Sequence, residues 1–168
     1  MRHILTMGTF GRVSTRLAGE PQDVPFITCF SSGPWVRQHS GRVLSVPGAS
    51  TSDGVKLTQF SNWGVDNERW LLESTGDGYF TVRARHSGKC MDVGGASTAA
   101  GANVIQYTCN GSNNQRFRLV PSNNGHFALQ AKHSNQCLGI AGASMDDGGF
   151  LVQSPCAWTT NESFRFAP

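Results

Sequence analysis

The chain repeats itself at a step of 47 residues. A fixed internal period of tens of residues restricts a sequence to folds assembled from several copies of one supersecondary unit. His39-Ser40-Gly41 returns as His86-Ser87-Gly88 and as His133-Ser134-Asn135, while Gly48-Ala49-Ser50 returns as Gly95-Ala96-Ser97 and Gly142-Ala143-Ser144. The same step relates Gly54, Gly101 and Gly148; Gln59, Gln106 and Gln153; Asn67, Asn114 and Asn161; and Trp70, Phe117 and Phe164. No gap is needed from about Gly33 to Phe166, so three copies fill that stretch and residues 1–32 stand outside the pattern.

Within a copy, the runs "YFTVRA", "KCMDV", "NVIQYTC" and "RFRLV" are short and rich in β-branched and aromatic residues, and turn clusters such as Ser87-Gly88 and Gly94-Gly95 separate them. This predicts about four strands per copy and about twelve in all. Three copies are too few for a propeller, and the turns are too irregularly spaced for a solenoid. A threefold β-barrel capped by hairpins fits. Composition agrees, because 20 glycines in 168 residues and only 15% charged residues favour turns and strands over helices. Lys and Arg number 14 against 11 Asp and Glu, with no basic run to track a phosphate backbone, so nucleic acid is not an expected partner. No apolar run approaches the ~20 residues of a membrane helix, so membrane insertion is not expected. Residues 1–19 lack the apolar stretch of a signal peptide, so an export signal would have to be missing here or unconventional.

The segment "GKCMDV" followed by "GANVIQYTCNGSNNQRF" resembles the repeat of ricin B-type (R-type) lectins, also known as family 13 carbohydrate-binding modules. The resemblance covers residues 33–168, and its joint Cys-x-Asp, aromatic-x-Cys and Asn-Gln-x-aromatic pattern in the middle copy is specific. It implies an all-β chain with the β-trefoil fold. It also implies a carbohydrate-binding module that needs no cofactor or metal, whose partners are glycans of the galactose type or plant pentose polymers.

Five cysteines are present, and four form two pairs with the same spacing: Cys90 with Cys109, and Cys137 with Cys156. In a loop-rich chain this predicts two disulfides, each inside its own copy. The first copy has Val43 and Asn62 at those positions. Cys-x-x-Cys spacing and a nearby histidine cluster are both missing, which argues against zinc. Persistent disulfides imply a secreted, extracellular protein. Cys29 is left over, as a free thiol or as a link to a protein partner.

A bridge between antiparallel strands is expected to set its two cysteines opposite one another. Two residues inward on each strand, Asp92 would then face Tyr107 directly across the hairpin. A carboxylate accepts hydrogen bonds from paired hydroxyls and an aromatic ring covers a C–H face, which together suit a shallow saccharide site. The family resemblance places Asp92 on vicinal hydroxyls and Tyr107 as the stacking ring, and it adds Asn114 and Gln115. One departure is Ile105, where the family often has glutamine; Gln106 is on the opposite strand face. The same reasoning pairs Ser45 with Phe60 in the first copy, which with Asn67 makes a weak secondary site, a ring without the acid. It pairs Gly139 with Ser154 in the third, which has neither. Asp53, or the Asp146-Asp147 pair, is the alternative source of a carboxylate.

Features present in all three copies are expected to serve the fold. Trp70, Phe117 and Phe164 are read as core, the three glutamines as partners of backbone groups beneath the hairpins, and His39, His86 and His133 as turn residues. No nucleophile and base, carboxylate pair or phosphate loop comes together, so no catalytic residue is expected. Two other readings are a trefoil protease inhibitor and the targeting subunit of a toxin or polysaccharide-degrading assembly. Residues 1–32, with "VPFITCF", suit the latter, as an arm that is disordered or that contacts a partner.

Overall fold

A computed structural model describes residues 33–167, together with the backbone of three short strands nearer the N-terminus. Of these three, β1 (Ile4–Met7) pairs antiparallel with β2 (Val13–Arg16), and β3 is Cys29–Phe30. The first copy then contributes β4 (Trp35–Arg37), β5 (Val43–Ser45), β6 (Thr58–Phe60) and β7 (Trp70–Ser74). The second contributes β8 (Phe80–Ala84), β9 (Cys90–Val93), β10 (Val104–Tyr107) and β11 (Phe117–Pro121). The third contributes β12 (Phe127–Ala131), β13 (Cys137–Ile140), β14 (Leu151–Ser154) and β15 (Ser163–Phe166). Four strands per copy is the number the sequence predicts.

The first and last strands of each copy form the barrel. β7 pairs with β8, β8 with β11, β11 with β12, β12 with β15 and β15 with β4, all antiparallel. A bridge between Pro34 and Arg69 closes the circle. The middle strands make three hairpins, β5–β6, β9–β10 and β13–β14, that cap one end. This is a β-trefoil, and closure removes the open edges that would otherwise pair with other chains. Trp70, Phe117 and Phe164 are buried at matching places in a core that also holds Trp35, Leu57 and Met91. The Trp70 indole N–H satisfies the Leu44 carbonyl at 3.0 Å.

The repeated histidines and glutamines tie the copies together. Gln106 Nε2 donates to Ser50 O (2.7 Å) and Ser52 O (2.9 Å), Gln153 Nε2 to Ser97 O and Ala99 O, and Gln59 Nε2 to Ser144 O and Asp146 O. Each accepting loop belongs to the preceding copy, and the third copy's loop is held by the first, so the three contacts close a ring. His86, His133 and His39 place Nε2 within 2.9 Å of the Ser50, Ser97 and Ser144 carbonyls. Their role is therefore wider than the turn chemistry expected of them. Burial lowers the His39 pKa, which favours the neutral ring. The gripped loops are strained: Ala49, Ala96 and Ala143 all sit at φ 50°, a left-handed conformation costing an L-residue roughly 1–2 kcal/mol.

Both expected disulfides are present, with Cα–Cα distances of 5.0 Å (Cys90–Cys109) and 4.9 Å (Cys137–Cys156). The register inferred from them is two residues off. Cys90 faces Tyr107 and Asp92 faces Ile105; Val43 faces Phe60 and Ser45 faces Thr58; Cys137 faces Ser154 and Gly139 faces Val152. The reason is that β10 ends at Tyr107. The chain then leaves the ladder at Thr108, whose N–H donates to the Asp53 carboxylate at 2.8 Å, and Cys109 reaches Cys90 from outside the paired region. A disulfide fixes a distance between Cα atoms and does not require ladder partners. A shift of two preserves strand faces, so Asp92 and Tyr107 share a face as diagonal rather than direct neighbours.

Cys29–Phe30 pairs antiparallel with β7 of its own chain, Cys29 opposite Glu73 and Phe30 opposite Leu72. The rest of "VPFITCF" and the Cys29 side chain lie outside the described residues.

Gln106→Ala strips partners from two loop carbonyls and from the Ser87 hydroxyl. It should lower unfolding free energy by about 2 kcal/mol or more, whereas Tyr107→Ala, at an exposed side chain, should stay within about 0.5 kcal/mol of the parent. Urea denaturation of the two variants checks this.

Candidate functional site

In the middle copy, Asp92 lies on β9 with 4% of its surface exposed. Its carboxylate is braced from behind by a 3₁₀ turn, Asn113–Gln115. Asn114 Nδ2 donates to Asp92 Oδ1 at 2.9 Å and to Val93 O at 3.1 Å; Gln115 Nε2 donates to Asp92 Oδ2 at 2.8 Å and to Thr108 O at 3.0 Å. The Gln115 Oε1 accepts the Asn110 N–H at 2.8 Å, which fixes the loop leading into the turn. The tight 3₁₀ geometry lets two consecutive side chains reach one carboxylate. A carboxylate has about four lone-pair sites and the amides occupy two, which leaves acceptor capacity for two further donors. Burial raises the Asp92 pKa, and the Gln115 and Asn114 amides pull it back down.

Tyr107 shares the Asp92 face of the hairpin and is 42% exposed, so its ring is available to a ligand. Ile105 faces Asp92 directly and contributes an apolar floor instead of a polar contact. Gln106 points to the other side and is engaged in the loop contact described above. The structure thus brings Asp92, Asn114 and Gln115 into hydrogen-bond contact and sets Tyr107 on the adjoining surface.

Two of the other candidate carboxylates, Asp53 and Asp147, are engaged elsewhere. Asp53 pairs with Lys89 Nζ at 2.6 Å and accepts from Thr108, and Asp147 pairs with Arg42 and accepts from Ser61. Both join one copy to the next. The Lys89 and Thr108 hydrogen bonds hold the Asp53 pKa below its ordinary value.

The first copy differs at the strand and at the turn. Ser45 replaces Asp92 and accepts from Asn67 Nδ2 at 3.3 Å, while Glu68 replaces Gln115. Sequence reasoning looked for an acid at the strand position and in the hairpin loops and missed Glu68, although the 47-residue step aligns it with Gln115. Ser45, Phe60, Trp63, Val65, Glu68 and Phe150 line a cleft of about 480 Å³. In the third copy Asn161 occupies the equivalent space, bonding both the N–H and the O of Ile140 at 3.0 Å. A Cβ on Gly139 would stand 3.0 Å from Asn161 Nδ2, so this copy leaves no room for a carboxylate.

The ricin-type beta-trefoil lectin domain-like family model matches residues 36–107, 74–154 and 113–168, and the chain belongs to that family. No curated protein sequence matches it significantly. Among solved structures, a designed threefold symmetric protein, ThreeFoil, is 44% identical with a TM-score of 0.79, over 81% of this chain and 97% of that one. An exo-β-1,3-galactanase from Clostridium thermocellum is 28% identical with a TM-score of 0.79, over 86% of this chain but only 31% of the enzyme. A ricin B-like lectin from Macrolepiota procera, solved in complex with lactose, is 16% identical with a TM-score of 0.69, over 81% of this chain and 96% of that one; at that identity the likeness is one of fold.

The pKa directions carry opposite linkage signs. Asp92, raised in the folded state, contributes most to stability below the unfolded value of about 3.9, and that contribution is lost as pH rises through the raised value. Asp53, lowered, contributes above about 3.9 and loses that contribution as pH falls through its folded value. A carboxyl-carbon NMR titration should therefore place the Asp92 midpoint above that of Asp53; the reverse order would contradict the burial described.

Proposed function

We propose that this chain is a carbohydrate-binding lectin module whose main sugar site is Asp92, Tyr107, Asn114 and Gln115 in the middle copy. The observation that carries the reading is the buried Asp92 carboxylate held by two side-chain amides, with lone pairs to offer, beside an exposed phenol ring. Two sugar hydroxyls donate to the carboxylate while the C–H face of the same sugar rests on Tyr107. The binding needs no metal and no cofactor. Ser45, Phe60 and Asn67 of the first copy supply a ring without the strand acid, which makes them a weak secondary site. The third copy makes no contribution.

Galactose-type sugars are the preferred class, with plant pentose polymers second; the lactose complex of one fold relative and the galactanase among the similar structures support that order. A single shallow site binds weakly, and several sites presented together gain avidity without new contacts. The module therefore acts by bringing a partner or assembly to glycans outside the cell, a setting its two disulfides suit. A protein partner is engaged through residues 1–32, which stand outside the repeat, or through Cys29.

A glycan array probed with the parent, Asp92→Ala and Tyr107→Ala tests the site. Asp92→Ala should weaken the galactose-type hits by about tenfold or more, the size of effect expected when a charged hydrogen-bonding partner is removed, and Tyr107→Ala by roughly threefold to tenfold, as expected for loss of a stacking ring. A cooperative unfolding transition well above the assay temperature establishes that each variant is folded, although Asp92→Ala, which leaves two amides unpaired, should unfold at a lower midpoint than the parent. A folded Asp92→Ala protein that keeps every hit would overturn the assignment.

A further inference from the structure

The first-copy cleft differs chemically from the middle-copy site. In the middle copy, Gln115 Oε1 accepts a loop N–H and Nε2 points at Asp92. In the first copy, Glu68 Oε2 accepts the loop N–H groups of Trp63 (2.9 Å) and Gly64 (3.0 Å). Its other oxygen, Oε1, makes no hydrogen bond among the described residues, and by the 47-residue equivalence it takes the place of the amide nitrogen that reaches the strand. The strand residue it meets is Ser45, which is shorter than aspartate. Glu68 is 2% exposed and lines the cleft, so a buried carboxylate presents an unpartnered oxygen to it.

Among the donors on the remaining wall, the Ser45 and Thr58 hydroxyls and the Trp63 indole N–H donate to no acceptor among the described residues, whereas the Asn67 amide is occupied by Ser45 Oγ and Val46 O. Phe60, Trp63 and Phe150 supply aromatic surface, with Trp63 72% exposed. Ring faces carry negative quadrupole charge and attract cations. Lys56 Nζ lies 5.2 Å from the Phe150 ring centre, which leaves Phe60 and Trp63 for a ligand. A ring-lined cleft with one unpartnered carboxylate oxygen at its base attracts a group that both donates and carries positive charge. A hydroxyl meets only the first condition, whereas a protonated amine meets both.

We infer that the first-copy cleft is a second binding site, selective for an amino sugar with a protonated, unacetylated amine. The ammonium donates to Glu68 Oε1, the sugar ring lies on Trp63 and Phe60, and the hydroxyls face solvent. Only the choice of a sugar as the carrier rests on the lectin reading. Recognition of the amine follows from Glu68 and the rings and is independent of Asp92.

The test is an NMR titration of the full chain with D-glucosamine, D-glucose and N-acetyl-D-glucosamine, below the pKa of the free amine. Glucosamine should bind at least about tenfold more tightly than the other two, which lack the cation that the rings and carboxylate attract. Glu68→Gln should abolish the preference without unfolding the chain, because glutamine already performs the loop-holding role at Gln115. Trp63→Ala should weaken glucosamine binding, and Asp92→Ala should leave it unchanged. Equal binding of the three sugars, no glucosamine binding, or a preference that survives Glu68→Gln would overturn the inference. None of these results touches the middle-copy site, whose failure would appear in the Asp92→Ala and Tyr107→Ala glycan profiles instead.

Discussion

The architecture depends on three buried glutamine amides that pass from copy to copy around the pseudo-threefold axis. Gln59, Gln106 and Gln153 are fully buried, and each satisfies two carbonyls of a loop in the preceding copy, with a histidine ring reaching one of the same carbonyls. An unmade hydrogen bond at such a depth costs far more than a made one gains, so the contacts specify how the lobes sit together more than they add stability. They also hold the left-handed alanines in place. Because the contacts form a closed cycle, no copy can loosen its own loop without exposing polar groups of a neighbour.

With the frame held this way, the outer hairpins and 3₁₀ turns are free to diverge. Three equivalent positions around a shared asparagine tell the three lobes apart: Asp92, Tyr107 and Gln115 beside Asn114 in the second; Ser45, Phe60 and Glu68 beside Asn67 in the first; Gly139, Ser154 and Glu162 beside Asn161 in the third. In the second, an amide braces a strand carboxylate. In the first, the carboxylate has moved from strand to turn and the strand side chain has shrunk, which opens a cleft. In the third, both carboxylate oxygens of Glu162 take loop N–H groups and Asn161 fills the strand side. One backbone thus carries two differently lined candidate positions and one filled position.

The period, the strand number, the core aromatics and both disulfides were legible because each is recorded in local spacing. Hairpin register was not, since it depended on treating Cys90 and Cys109 as ladder partners, and the point at which β10 ends is set by a contact between Thr108 and Asp53 of another copy. The same limit applies to the histidines, whose turn position is visible in sequence while their carbonyl partners, 36 or 105 residues away, are not. Asp92, Asn114 and Gln115 were grouped by resemblance, and the hydrogen bonds joining them became visible only in the fold. Glu68 escaped notice because an acid displaced from strand to turn keeps its chemistry and loses its pattern.

The most direct test of the braced carboxylate as the sugar-holding group is a ¹H–¹⁵N NMR titration with galactose that follows the side-chain amides of Asn114 and Gln115, which donate to Asp92. Ligation of the carboxylate should shift both amides together with the Tyr107 backbone signal, while the corresponding signals of Asn161 in the third copy stay still. Shifts confined to the third copy, or saturation with the Asn114 and Gln115 amides unmoved, would contradict the account.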